Sequence, residues 1–471
     1  MTNISLIDEQ QQIEKTLIEC RKLLTRSVTD LDRFSTPDKI EDNYSDFIRE
    51  CYNSWKKAEN LLVEKILLIE NDLELLSNNK KDSSVEKNIN LKVGLKIILE
   101  LFFNTYIWIT MNWDRSSVTK IFKGPKSGLL RHQNIDSVLK YVNDVNKSPN
   151  VFAVPLDFCR FSCIADILKV TYIEENKSIE FDFIEAKSGR VNEEILETIA
   201  SEKDVSYFDF FNKYAEKGIK QMERCFRQQL NMSKNIDLIH ANPGIYENPD
   251  NPEQKLFIVS DNSVSQLYTD TIERLLEAAD HDNFAVDIVD DCLVIGVINH
   301  KNANIAALGE FDARLYVYHV FTNPQSFEDK NYPSNLPNIL NKLPLKDWRE
   351  GFGSVVLHPV AARQIADNFL MDLLFGRKRI LYYFNADNFI ALCKEHGLDV
   401  GFSSVKQANR QKSKGLAKGV PQFNGKFIRY SFRKMEMNLG EGIFHEIYYN
   451  WMRPKSIIDR LKSVGNNIAT S

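Results

Sequence analysis

Residues 166–187 can pair with themselves in one way, and that pairing limits what the centre of the chain can become. The run that starts Asp166-Ile-Leu-Lys-Val and the run that holds Phe-Ile-Glu185-Ala-Lys187-Ser-Gly are rich in Ile, Val, Phe and Tyr, with polar residues interspersed as in partly buried strands. The polar patch Glu174-Glu175-Asn176-Lys177 is the turn between them. If the turn centres between Glu175 and Asn176, paired residue numbers sum to 351, which sets Asp166 across from Glu185. Their Cα atoms would then lie ~4.5–5.5 Å apart. Period-two alternation puts Lys187 on the face of Glu185. Two hard oxygen donors and an ammonium on one patch of a sheet suit Mg²⁺-assisted chemistry on a phosphodiester.

Asp166 followed across a hairpin by Glu185-Ala186-Lys187 resembles the catalytic signature of the PD-(D/E)xK nuclease superfamily. The resemblance covers residues 150–230 and implies a restriction-endonuclease-like core. It implies that Asp166 and Glu185, with the carbonyl of Ala186, hold Mg²⁺ or Mn²⁺, and that Lys187 orients or deprotonates water. Ala165 stands where the family name has Pro. No further acid on a preceding helix can be assigned, because Glu100 is distant and residues 121–150 offer mainly Gln133, Asn134 and Asp136. The same triplet pattern recurs at Glu175–Lys177, Glu253–Lys255 and Glu328–Lys330, where it reads as turn or loop charge. The competing reading of Asp166, Glu185 and Lys187 is a solvated face of an ordinary amphipathic hairpin.

A chain of 471 residues exceeds one compact core. The pattern predicts a multidomain α+β protein: a helical domain over 1–120, an α/β domain over 121–300, which the resemblance implies is nuclease-like, and a mixed α/β region over 301–471. Apolar periodicity predicts helices from Leu6 to Leu24, Tyr44 to Leu76 and Leu91 to Asn112, a bundle suited to packing, self-association or partner contact. The last is apolar but interrupted by Lys96, Glu100 and Asn104, so it reads as a core helix and no membrane span is expected. Seven cysteines without CxxC spacing read as free thiols of a reducing compartment, and the first residues lack a signal-peptide pattern, so cytoplasm is expected.

Net charge is −5, so any surface for nucleic acid has to be local. Lys120, Lys123, Lys126 and Arg131 form a basic loop before a helix from Asn134 to Asn146, and Val151 to Val154 reads as a strand. A helix from Tyr207 to Met232 carries Lys217, Lys220, Gln221, Arg224 and Gln228 on one face, and Ile236 to Ile239 reads as a following strand. The resemblance implies that Lys220, Gln221 and Arg224 meet backbone phosphates. Phe284–Val289 and Cys292–Ile298 read as a second hairpin turning at Asp290-Asp291, extending the first sheet or forming a small insert.

Between Lys406 and Lys434 stand nine Lys or Arg and no Asp or Glu. Lys406, Arg410, Lys412, Lys414 and Lys418 read as a mobile loop, with Phe423, Phe427, Tyr430 and Phe432 interleaved, suited to phosphate contact and base stacking. Helices over Val360–Phe375 and Asn385–Glu395 and strands over Phe427–Arg433 and Ile443–Tyr449 complete the prediction. There is no P-loop, GxGxxG after a strand, GxSxG or HExxH, so nucleotide-binding, dinucleotide, serine-hydrolase and zincin readings find no motif. The expected function is a metal-dependent nuclease acting on DNA, with a place in microbial anti-phage defence by analogy alone. The alternatives are a catalytically inactive nuclease-fold protein that binds nucleic acid, and a structural adaptor.

Overall fold

The computed structural model describes residues 3–25, 33–34, 36–77, 83–125, 132–186, 244–248, 251–258, 265–322, 345–415, 419–432 and 435–470, with scattered positions between 220 and 238. The protein is mixed α+β, built on small antiparallel sheets. It divides into two compact units, residues 1–258 with 359–362, and residues 259–358 with 363–471. The sequence boundaries at 120 and 300 do not coincide with this division.

In the first unit, α1 (Asn3–Thr25), α2 (Pro37–Asp42), α3 (Tyr44–Ser77), α4 (Ser83–Phe103), α5 (Thr105–Thr110) and α6 (Arg115–Ile121) precede the strands. The long helix α3 follows its apolar stripe, burying Tyr52, Leu62, Ile66, Ile69 and Leu73. The apolar helical segment 83–110 is the described one long enough to cross a bilayer, yet 78% of its most apolar window is buried inside the protein, as a core helix requires. Lys92 and Lys96 within it are neutralised in place. Lys92 is fully buried with Nζ 2.8 Å from Glu9 and 2.7 Å from Asp72, and Lys96 pairs with Glu70 and, at 3.4 Å, with Glu100. Burial alone would lower the Lys92 ammonium pKa, but Asp72 and Glu9 hold it above the usual lysine value.

Strand β1 (Phe122–Pro125) leads to α7 (His132–Val145) and β2 (Val151–Pro155). Strands β3 (Phe161–Cys163), β4 (Ile167–Ile173) and β5 (Ser178–Ile184) follow. Strands β2, β4 and β5 form one antiparallel sheet in that order, while β3 pairs with β1. One face of the larger sheet meets α3: Phe152 stacks against Tyr52 and Trp55, and Tyr172 against Tyr44. The other meets α7, with Val138 and Val142 packed against Ala153, Ile167, Ile184 and Ala186. Alternation therefore works as expected, each parity of the strand facing its own helix.

Beyond this sheet the expected order changes. Ile236, Asp237 and Leu238 are helical, not a strand, and the helix end is tied down where Lys120 donates to the Leu238 carbonyl. That bond, with burial lowering the Lys120 pKa, gives Lys120 a structural use. The next described strands, β6 (Gly244–Asn248) and β7 (Asn251–Ile258), pair with each other.

The second unit opens with α8 (Thr269–Asp282) and the hairpin β8 (Phe284–Val289) and β9 (Leu293–Asn299). Asp290 and Asp291 adopt φ of 50° and 56°, which confirms them as turn residues. This hairpin does not extend the first sheet. It joins β10 (Lys346–Asp347) and β11 (Lys378–Phe384) in the order β10-β11-β9-β8. Between them α9 (Ile305–Thr322) packs Phe311 and Leu315 on Phe284, Val294 and Ile298. Gly296 leaves room for the Phe311 ring, since a Cβ there would come within 2.9 Å of it.

The helix expected over Val360–Phe375 is broken into a 3-10 turn, Val360–Ala362, and α10 (Asp367–Leu374). Between them buried Arg363 donates to the Tyr449 carbonyl at 2.5 Å and lies over the Trp451 ring. The helix expected over Asn385–Glu395 is α11 (Ala386–Glu395), with Asn385 as its cap. Strand β12 (Asp399–Phe402), helix α12 (Val405–Ser413) and strands β13 (Ile428–Phe432) and β14 (Met435–Asn438) follow, with β13 between the other two strands. The last elements are α13 (Glu441–Asn450) and α14 (Pro454–Thr470). Residues 443–449, expected as a strand, are helical because Phe444, Ile447 and Tyr448 all find burial from a helix.

Glu59 on α3 is 3% exposed, and its Oε2 has no hydrogen-bond partner among the described residues. Burial pushes its carboxyl well above the usual carboxylate range, with Lys56 pulling weakly the other way. A carboxyl whose pKa is raised on folding stabilises below its unfolded value, and that stability is lost as pH rises through the folded value. Between about pH 5 and pH 8 the wild type should therefore lose stability relative to Glu59→Gln, whose amide does not titrate. Urea unfolding of both proteins across that range checks it; parallel curves would show that Glu59 does not titrate as described.

Candidate metal-binding hairpin

Strands β4 and β5 pair in the register that the turn predicts: Ile167 with Ile184, Leu168 with Phe183, and so on to Ile173 with Ser178. The turn occupies residues 174–177, with Lys177 at φ 52° and the Asn176 carboxamide accepting the Ser178 N–H at 3.1 Å. Cross-strand charge pairs on the α7 side, Lys169 to Asp182 at 3.0 Å, reinforce the same register. Asp182 lifts the Lys169 pKa above its ordinary value.

At Asp166 the ladder slips by one residue. The Asp166 N–H donates to the Ile184 carbonyl at 3.1 Å, and the Asp166 carbonyl accepts the Leu156 N–H at 2.8 Å. The side chain then spans the gap: Asp166 Oδ2 accepts the Ala186 N–H at 2.8 Å. Asp166 is thus bonded to the residue before Glu185 and to the residue after it. The expected juxtaposition of Asp166 and Glu185 takes this bracketed form in place of a flat cross-strand pair. Both are half-buried, while Ala186 on the opposite parity packs with Ile184 toward α7.

Asp166 and Glu185 supply an oxygen-only donor pair, which fits a hard divalent cation. Among the described residues no group of three or more His, Cys, Asp or Glu gathers at a metal-sized site. Mg²⁺ commonly keeps several waters and is bound through one or two carboxylates together with substrate phosphates. Glu100 does not serve as a further acid: it is 2% exposed and faces Lys96 and, at 3.6 Å, Arg160.

Lys187, Gln221 and Lys418 lie outside the described residues. Lys220 and Arg224 are exposed on the helical segment within 220–238, whose buried positions are Met222 and Leu238. Lys406, Arg410, Lys412 and Lys414 are exposed in the second unit. They do not form a loop: Lys406, Arg410 and Lys412 stand on α12, and Lys414 caps its C-terminus. Phe423, Phe427 and Tyr430 are packed in the unit and are not stacking platforms, and the Phe432 side chain lies outside the description. Phe427 and Tyr430 are 0% and 2% exposed, and Phe423 packs on Phe384 and Phe444.

A hydrogen-bonded chain that no sequence motif announced occurs in the second unit. Ser354 Oγ lies 3.0 Å from His445 Nδ1, and His445 Nε2 lies 3.1 Å from Glu441. Ser354 is 8% exposed, and its N–H closes the 3-10 helix Trp348–Gly353 on the Gly351 carbonyl. The chain therefore serves as a tether between that turn and α13.

Protein-family models, curated proteins and solved structures yield no match to this chain.

The Asp166 carboxylate satisfies the Ala186 amide, so the two ends of its chemistry can be separated. Asp166→Ala should leave that amide without its acceptor and cost about 1–3 kcal/mol. Asp166→Asn keeps an acceptor and should cost less than about 1 kcal/mol. Amide hydrogen exchange at Ala186, fast in the Ala variant and slow in the Asn variant, is the check; equal exchange in both would remove Asp166 from this contact.

Proposed function

We propose that the protein is a metal-dependent nuclease whose active centre is the β4–β5 hairpin, with DNA as its substrate. The observation that supports this reading most is the bracketing of Glu185 by Asp166, through bonds to Ile184 and Ala186. It ties Asp166 to the backbone on either side of Glu185 at the end of a sheet, and rigid elements are where a catalytic constellation needs to sit. Asp166, Glu185 and the carbonyl of Ala186 would hold Mg²⁺ or Mn²⁺, which when bound supplies positive charge to a phosphodiester in the transition state. Asp166 and Glu185 contribute the negative charge that selects a divalent cation. Lys187, two residues on from Glu185, takes the proton of the attacking water or stabilises charge on the phosphate oxygens. Exposed Lys220 and Arg224, with Gln221, add backbone-phosphate contacts. Restriction-like defence against phage in the microbial cytoplasm is the setting that the superfamily resemblance suggests by analogy.

A second reading, a nuclease-fold protein that binds nucleic acid without cutting it, is favoured by one observation. No third acidic, His or Cys ligand joins Asp166 and Glu185 among the described residues.

Cleavage assays on plasmid, linear duplex, single-stranded DNA and RNA with Mg²⁺ or Mn²⁺ separate the two. The nuclease reading predicts metal-dependent cutting reduced at least about 100-fold by Glu185→Ala and by Lys187→Ala. Binding without cutting under every condition favours the second reading, and neither binding nor cutting would leave the adaptor.

A further inference from the structure

Helix α12 presents two chemically distinct sides. Its start is closed by a capping box, in which Ser404 Oγ accepts the Gln407 N–H at 3.1 Å and Gln407 Oε1 accepts the Ser404 N–H at 2.9 Å. Gln407 Oε1 also accepts from Arg429 on β13 at 3.3 Å, and Gln411 accepts from Asn438 on β14 at 2.9 Å. Ala408, fully buried, lies between them. Positions 404, 407, 408 and 411 therefore turn toward the β12–β13–β14 sheet.

The opposite side carries Lys406, Asn409, Arg410 and Ser413, at i, i+3, i+4 and i+7, and all four are exposed. At roughly 100° per residue, Lys412 and Lys414 fall on the two flanks of that face. No carboxylate is present in sequence from residue 400 to 435. Of the other nearby cations among the described residues, Arg429 pairs with Glu436, and Lys426 lies 5.6 Å from the Phe402 ring centre. The face is thus positive, and it carries an amide and a guanidinium one residue apart. Those are the groups that make paired hydrogen bonds to adenine and guanine edges in the major groove. An α-helix about 10–12 Å across fits that groove, which is about 12 Å wide.

We propose that α12 reads duplex DNA. Lys406, Asn409 and Arg410 face base edges in the major groove, and Lys412 and Lys414 contact phosphates of its two walls. This rests on the reading of the protein as one that acts on DNA, and gives that protein a sequence preference seated on a different unit from the Asp166–Glu185 pair.

The test is binding by the full chain in chelator, so that DNA stays intact whether or not the hairpin is catalytic. A randomised duplex pool is selected on the protein, and the enriched duplex is compared with a scrambled one across a salt series. The expected result is an enriched sequence whose preference over the scramble falls roughly tenfold or more in Asn409→Ala and Arg410→Ala. Asn409→Ala should leave the salt slope unchanged. Lys412→Ala and Lys414→Ala should weaken both duplexes alike and each lower the slope by about one. All four positions are exposed, and circular dichroism of each variant verifies the fold. Duplex binding without any enriched sequence, a preference untouched by Asn409→Ala and Arg410→Ala, or tighter binding to single strands or RNA would each overturn the proposal. Loss of cutting in Glu185→Ala with this preference retained would separate the reading site from the catalytic reading. Conversely, cutting by a protein with no α12-dependent preference would leave the nuclease reading standing alone.

Discussion

The register of β4 against β5 is the constraint on which the first unit's functional geometry depends. A shift of one residue would exchange the two faces of the hairpin. It would turn Leu168, Val170 and Tyr172 away from α3, and Ile167 and Ile184 away from α7. Burial on both faces holds the pairing, and the slip at Asp166 occurs only where the ladder ends. That slip lets a carboxylate reach over to the Ala186 amide, so the end of the strand is closed by a charged side chain beside a second acid. A surface salt-bridge pattern would not need such an arrangement, since exposed charges contribute little to stability.

The second unit is organised around a buried lysine, Lys378, and a largely buried carboxylate, Asp372. Lys378 is fully buried, with Nζ 2.7 Å from Asp280 and 3.0 Å from the Leu276 carbonyl, and 4.6 Å from the Phe369 ring centre. Asp372 draws together Lys301 at 2.9 Å and Arg377 at 2.5 Å, and these cations hold its carboxyl below the usual range despite burial. Such sites are costly to leave half-paired. They fix the ends of β9, β11, α8 and α10 against one another. The small sheet carrying α12 belongs to this same unit, so the basic face stands on a body with its own core.

The hairpin was legible in sequence because its information is local: two β-rich runs, one polar turn and strict alternation. The same holds for α3, read over Tyr44–Leu76 and found over Tyr44–Ser77, and for α11, read over Asn385–Glu395 and found over Ala386–Glu395. Local reading failed where burial decides. Ile443 to Tyr449 has strand-like composition, yet Ile447 is buried from a helix, and Glu446 and Asn450 are buried with it. Lys406–Lys414 has loop-like composition, but the Ser404–Gln407 capping box starts a helix and Ala408 seats it. The aromatics of that segment looked like stacking platforms because sequence alone does not say which side of β13 faces the core. The slip at Asp166 could not be read, since a ladder fault depends on what the strand end meets, here Leu156 and Ala186.

The central claim is that Asp166 and Glu185 act as one cation site. Titration of Mn²⁺ into the full chain, followed by electron paramagnetic resonance of the free ion, addresses it without reference to any substrate. The account predicts a bound Mn²⁺ that Asp166→Asn and Glu185→Gln each weaken by at least about tenfold, the loss of one carboxylate from a site that has only two. Mn²⁺ binding unchanged in both variants, or absent from the wild type at millimolar concentration, would contradict it.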